Sequence, residues 1–116
     1  MSKAKLEAFG GERYRLSGVL DAITAPLLLK QSEERFNSAE GVELQIDLGG
    51  VAESDSAGLA LLLEWLRVAR QRKQRVHFAN LPAQIAALAR ISEVEELLLP
   101  EASVDQQRNE QTAANA

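Results

Sequence analysis

Residues 42–48, VELQIDL, alternate apolar and polar side chains without a break. In an extended chain Val42, Leu44, Ile46 and Leu48 lie on one side, and Glu43, Gln45 and Asp47 on the other. Strands sandwiched between two helical layers are apolar on both sides. This one can be dry on one side only, which restricts the fold to a sheet with helices on one face and solvent or a partner on the other.

The flanking segments supply the other elements. In ERYRLSGVLD polar and apolar residues alternate through Tyr14, Leu16 and Gly18, and Gly10 and Gly11 form a turn before it, so residues 4–20 read as two short strands. Thr24 is a helix cap with Pro26 in the first turn, where a missing N–H costs nothing. From there Leu28, Leu29, Ser32 and Phe36 line one side of a first helix ending near Asn37. Residues 56–72 form a second helix. RVHFAN is a strand with Val76 and Phe78 inward and His77 outward, and Pro82 opens a third helix presenting Ile85, Leu88 and Ile91. VEELLLP closes this part as a short strand or a helical turn.

Strand-helix-strand units of this length favour right-handed crossovers and a largely parallel sheet. The expected fold is therefore α/β: a small mixed, mostly parallel sheet with helices on one face, in one domain over residues 1–100. Residues 101–116 have no apolar period and the composition of a disordered tail. With 46% hydrophobic residues but only 4% aromatic, the core must be built from Leu, Val, Ile and Ala.

Several chemistries are excluded or disfavoured. There are no cysteines, which removes disulfides and thiolate metal sites and suits a reducing cytoplasm. No run approaches the ~20 apolar residues that cross a bilayer, and the start MSKAKLEAFGG has no apolar signal core; a cytoplasmic protein without membrane insertion is expected. The net charge is −4, half of it from Glu101, Asp105 and Glu110 against Arg108, so nothing pushes the chain globally toward nucleic acid. Arg67, Arg70, Arg72, Lys73 and Arg75 complement the carboxyl-terminal dipole of the second helix. His77 is the only histidine, no phosphate-binding Gly-rich loop occurs, and Glu33–Glu34 and Glu95–Glu96 sit as solvated helix faces. No enzyme, no metal site, no cofactor and no small-molecule substrate are expected.

The second helix begins unusually. In VAESDSAGLALLLEWLRVAR both Asp55 and Ser56 carry short oxygen-bearing side chains able to accept from the unpaired N–H groups of a first helical turn. Beside the small Ala57 and Gly58, the Ser56 hydroxyl would lie exposed at the positive end of the helix dipole. A phosphate there would add about −1.5 to −2 of charge next to Glu53 and Asp55, repelling a partner more than unsettling the fold. Farther along, Leu59, Leu62, Leu63, Leu66 and Ala69 fill one stripe, and Leu61, Trp65 and Val68 a second. One helix on one sheet needs an apolar arc only a little over ~100° wide, and this arc is roughly twice that. Burial against the first and third helices accounts for part of the excess. Large aromatics are enriched at interfaces, so Asp55, Ser56, Ala57, Gly58, Leu61 and Trp65, with the start of the third helix, form the candidate partner surface.

IDLGGVAESDSAGLALLLEWLRVAR resembles the signature segment of STAS domains, the family of bacterial anti-sigma-factor antagonists and transporter-associated regulators: a strand ending in Asp, a short loop, then Asp-Ser-x-Gly-Leu opening a helix. GVLDAITAP resembles that family's Gly-x-Leu-Asp stretch, and a weaker likeness extends over residues 4 to about 100. The resemblance implies a small sheet with helices on one side and binding to another protein. It also puts Ser56 at the position phosphorylated in the sporulation and stress-response antagonists. Within the family the chain looks most like the STAS subunit of Mla-type (toluene-tolerance) phospholipid transporters, ABC systems that maintain outer-membrane lipid asymmetry. The resemblance implies a non-catalytic subunit that binds the cytoplasmic ABC-transporter ATPase, supports its assembly or activity, and is peripheral to the inner membrane through it. The alternative is an anti-sigma-factor antagonist switched by phosphorylation at Ser56; a sensory module for a small ligand is a third class.

Overall fold

Leu44, Ile46 and Leu48 do share a dry side, while Glu43 and Gln45 are exposed and Asp47 is half-buried. The computed structural model describes residues 4–98. The order is β1 (Ala4–Ala8), β2 (Arg13–Leu20), α1 (Thr24–Arg35), β3 (Glu43–Ser54), α2 (Ser56–Gln71), β4 (Arg75–Ala79), α3 (Ala83–Ile91) and α4 (Glu95–Leu98). The four strands lie in the order β1-β2-β3-β4. β1 and β2 pair antiparallel about Gly10 and Gly11, both at positive φ, where a residue with a Cβ would be strained. β2–β3 and β3–β4 are parallel, joined by the α1 and α2 crossovers.

The sheet is one-sided, as the alternation requires. Leu6, Leu16, Leu44, Ile46 and Phe78 join Leu28 of α1, Leu59 and Leu62 of α2 and Ile85 of α3 in a single core. Lys5, Arg13, Arg15, Glu43, Gln45 and Arg75 on the opposite side are exposed. Although the core is mainly aliphatic, three of the few aromatics meet within it. The Tyr14 and Phe36 rings are 4.7 Å apart, and those of Phe36 and Trp65 5.6 Å. The Tyr14 hydroxyl donates to the Arg35 carbonyl at 2.9 Å, which ties the end of α1 to β2.

Four local expectations are corrected. The start of α1 is held by Asp21, whose Oδ1 accepts from the N–H groups of Ile23 and Thr24, both at 2.9 Å; Thr24 is the first helical residue and donates its hydroxyl to the Val19 carbonyl. α1 stops at Arg35, because Phe36 turns extended to reach Tyr14 and Trp65. Ile91 is 80% exposed: the inward line of α3 runs through Ile85 and Ala89, and Ile91 lies about 200° round the helix from Ala89. β3 runs on to Ser54 where a loop was expected, since Gly50 lets it pass close to β2: a Cβ at Gly50 would lie 2.7 Å from that of Ser17. Residues 95–98 of VEELLLP are a helical turn. The tail expected over 101–116 lies outside the described residues.

Candidate functional site

The carboxyl ends of β2 and β3 lie together, and α1 and α2 both start there. Asp55 N–H donates to the Leu20 carbonyl at 3.2 Å, locking the end of β3 to that of β2. Asp55 then caps α2. Its backbone is extended (φ −111°, ψ −163°), and its Oδ1 accepts from Ala57 N–H at 2.8 Å while its carbonyl accepts from Gly58 N–H at 3.0 Å. The capping role thus belongs to Asp55, and Ser56, the first helical residue, is left exposed. Gly58 is buried where α2 passes the end of β2: a Cβ there would meet Ser54 Oγ at 2.0 Å and Leu20 Cβ at 3.0 Å, so a side chain would push the helix tip away from the strand.

The structure therefore brings Asp55, Ser56, Ala57 and Gly58 into one turn, with Asp55 and Ser56 facing solvent. It does not leave Leu61 and Trp65 free to grip a partner. They are 4% and 3% exposed, respectively. Trp65 Nε1 donates to Ser32 Oγ at 2.8 Å and its ring packs on Phe36, so α1 covers the second apolar stripe of α2. The wide arc on α2 is explained by α1 on one flank and by α3 and α4 on the other. The exposed apolar side chains at this end of the sheet are instead Ile23, the residue just before α1 (76% exposed), and Leu27 in its first turn (58%). The helical period already leaves Leu27 off the side lined by Leu28, Leu29, Ser32 and Phe36, whereas Ile23 precedes the helix and no period marks it. Sequence reasoning also missed Gln84 of α3, whose Oε1 accepts from Ser54 N–H at 2.8 Å.

Elsewhere charge is spent locally. Arg67 pairs with Glu64, Lys73 with Glu40 at 3.6 Å and Arg75 with Glu43 at 3.8 Å, so much of the basic cluster is neutralised by near neighbours. On the open sheet face Arg15 lies 3.7 Å from Asp47 and over the Phe9 ring. Asp47 also accepts from Asn80 Nδ2 at 2.9 Å and Gly49 N–H at 2.8 Å. The Asn80 amide first, then the Gly49 N–H, with Arg15 adding, hold its carboxyl below the ordinary carboxylate range. His77 is half-buried beside Gln45. Among the described residues no group of three or more histidines or acids is arranged to hold a metal ion, and no helix is long and apolar enough to cross a membrane.

This geometry can be set against known proteins. A family model described as "Mlab, STAS domain" matches residues 8–100. The anti-sigma-B factor antagonists of Listeria monocytogenes and Listeria innocua are each 30% identical over 83 residues, 72% of this chain and 72% of the relative. The anti-sigma factor antagonist SpoIIAA in its unphosphorylated form superposes with a TM-score of 0.62 at 16% identity, covering 91% of this chain and 96% of that one, which establishes the fold. With a one-sided mixed sheet, an Asp-Ser tip opening the helix after its third strand, and a family match over most of its length, the chain belongs to the STAS domain family.

Proposed function

We propose that this chain is a non-catalytic docking module of the anti-sigma-factor-antagonist type, which binds a kinase-like, ATP-binding protein through the end of the molecule bearing Ser56 and is switched by phosphorylation there. The observation that carries this reading is the division of labour at the tip: Asp55 caps α2, leaving the Ser56 hydroxyl exposed and unneeded by the fold. The names of the two Listeria relatives support it further. Ile23 and Leu27 give the same end an apolar contact area, and Asp55 and Ser56 give it a polar edge. A phosphate on Ser56 adds about −1.5 to −2 of charge beside Asp55 and Glu53, so a partner fitted to the neutral hydroxyl meets a desolvation and repulsion cost. The fold bears little of that cost, because negative charge at a helix start is favoured by the dipole. The test is incubation with the cognate kinase-like protein and labelled ATP: stoichiometric labelling lost in Ser56→Ala is expected, and wild-type protein that binds without ever being labelled contradicts the switch.

A second reading keeps the docking tip and changes the partner. The Mlab description of the matching family model favours the ATPase of an Mla-type ABC phospholipid transporter, with this chain held at the cytoplasmic side of the inner membrane as an assembly or activity subunit in outer-membrane lipid asymmetry. Co-purification with that ATPase, without labelling of Ser56, would decide for it. In either reading Trp65 and Leu61 act from within, Trp65 by fixing α2 against α1 and Leu61 as part of the core.

A further inference from the structure

β3 overshoots its neighbour. Its last pairing with β4 is Asp47 opposite Ala79, yet it stays paired with β2 as far as Ser54 opposite Leu20, so residues 48–54 have a strand on one side only. An open strand edge is ordinarily a place where geometry is loosely set. Here the connector of residues 80–82 and the first turn of α3 span it, pinned at both ends by side-chain amides. At one end Asn80, at φ 55°, donates from Nδ2 to Asp47 Oδ1 at 2.9 Å. Asn tolerates this left-handed conformation better than most residues. At the other end Gln84 Oε1, on the first turn of α3, accepts from the Ser54 N–H at 2.8 Å. Ser54 is the residue immediately before the tip.

The tip is thus held from two directions. On the β2 side the Asp55 N–H bond to Leu20 and the buried Gly58 fix it through backbone and core. On the α3 side the hold comes from one exposed side chain, Gln84, which contributes nothing to the core. We propose that Gln84 is a positioning residue for partner docking: by clamping Ser54 N–H it sets the direction in which β3 delivers Asp55 and Ser56, so that the tip and the start of α3 present one rigid surface. This rests on the docking reading above and adds the residue that pre-organises it. Pre-organised surfaces bind better because less ordering remains to be done on association.

The experiment compares Gln84→Met, which keeps length and helix preference but removes the acceptor, with Gln84→Glu, which restores an acceptor oxygen, and with Ser56→Asp. Amide exchange is read at Ser54 and Ala57, affinity is read for the cognate ATP-binding partner identified by the tests above, and the urea midpoint is read for each variant. We expect Gln84→Met to lose protection at Ser54 and about three- to tenfold in affinity, the equivalent of one hydrogen bond, at a nearly unchanged midpoint. Gln84→Glu should keep the protection of Ser54. If Gln84→Met binds as well as wild type, or loses affinity only in step with its midpoint, or keeps Ser54 protected, the clamp is wrong; a docking surface still sensitive to Ser56→Asp then stands without it. If no ATP-binding partner binds, or Ser56→Asp also leaves binding intact, the docking reading itself fails and takes the clamp with it.

Discussion

Asp55 and Ser56 divide what a helix start requires: one accepts the first-turn N–H, and the other contributes an exposed hydroxyl. The sequence presents two equivalent caps, and the extended backbone of Asp55 with its Oδ1 hydrogen bond decides between them. Asp55→Ala should therefore cost about 1 kcal/mol in urea denaturation, and Ser56→Ala only a few tenths. The reverse order would return the cap to Ser56. A second single-residue effect concerns Asp47. Because its folded-state pKa lies below the unfolded one, it contributes stability that is present above the unfolded pKa and lost as pH falls through the folded value. The acid limb of the stability profile should flatten in Asp47→Asn; an unchanged limb would mean that Asn80, Gly49 and Arg15 do not act on this carboxylate.

At the scale of elements, α2 is the most instructive. Its double apolar stripe is plain in the sequence, but periodicity records only which residues are apolar, and not whether a neighbouring helix or another protein covers them. Here α1 does, through Phe36 and the Ser32 hydroxyl that receives the Trp65 indole N–H. Ser32→Ala should leave that N–H buried and unpaired, at about 1–3 kcal/mol, whereas Trp65→Ala should cost about 3–5 kcal/mol, both read from urea midpoints. Near-native stability in Trp65→Ala, or strong acrylamide quenching of the wild-type emission, would contradict its burial. The strands were more legible than the connections. The period-two pattern of residues 42–48 gives β3 and its dry side directly, but not its continuation to Ser54, because the alternation stops there and a glycine that allows close strand passage, as Gly50 does beside Ser17, looks the same as a turn residue. Ile91 continues the spacing by threes of Ile85 and Leu88 and is still exposed, because the buried side of α3 runs by fours through Ile85 and Ala89.

For the whole molecule, one alternating strand fixed the architecture. A sheet dry on one side leaves its helices on that side, and parallel crossovers bring the starts of α1 and α2 to the carboxyl ends of β2 and β3. The tip is a consequence of topology, and its small residues follow from packing: Gly58→Ala should push α2 off Leu20 and cost about 1–3 kcal/mol, despite the better helix preference of Ala. What the sequence could not convey was that Ile23 remains outside, since it precedes α1 and no helical period assigns it a side, while Leu27 lies off the side that Leu28 and Ser32 bury. The central claim is that Ser56 belongs to an interface and not to the fold. Its most direct test is the affinity of Ser56→Asp for the cognate ATP-binding partner, measured beside its urea midpoint. The account predicts at least tenfold weaker binding with stability within about 0.5 kcal/mol of wild type; equal binding, or a loss of binding matched by a loss of stability, would contradict it.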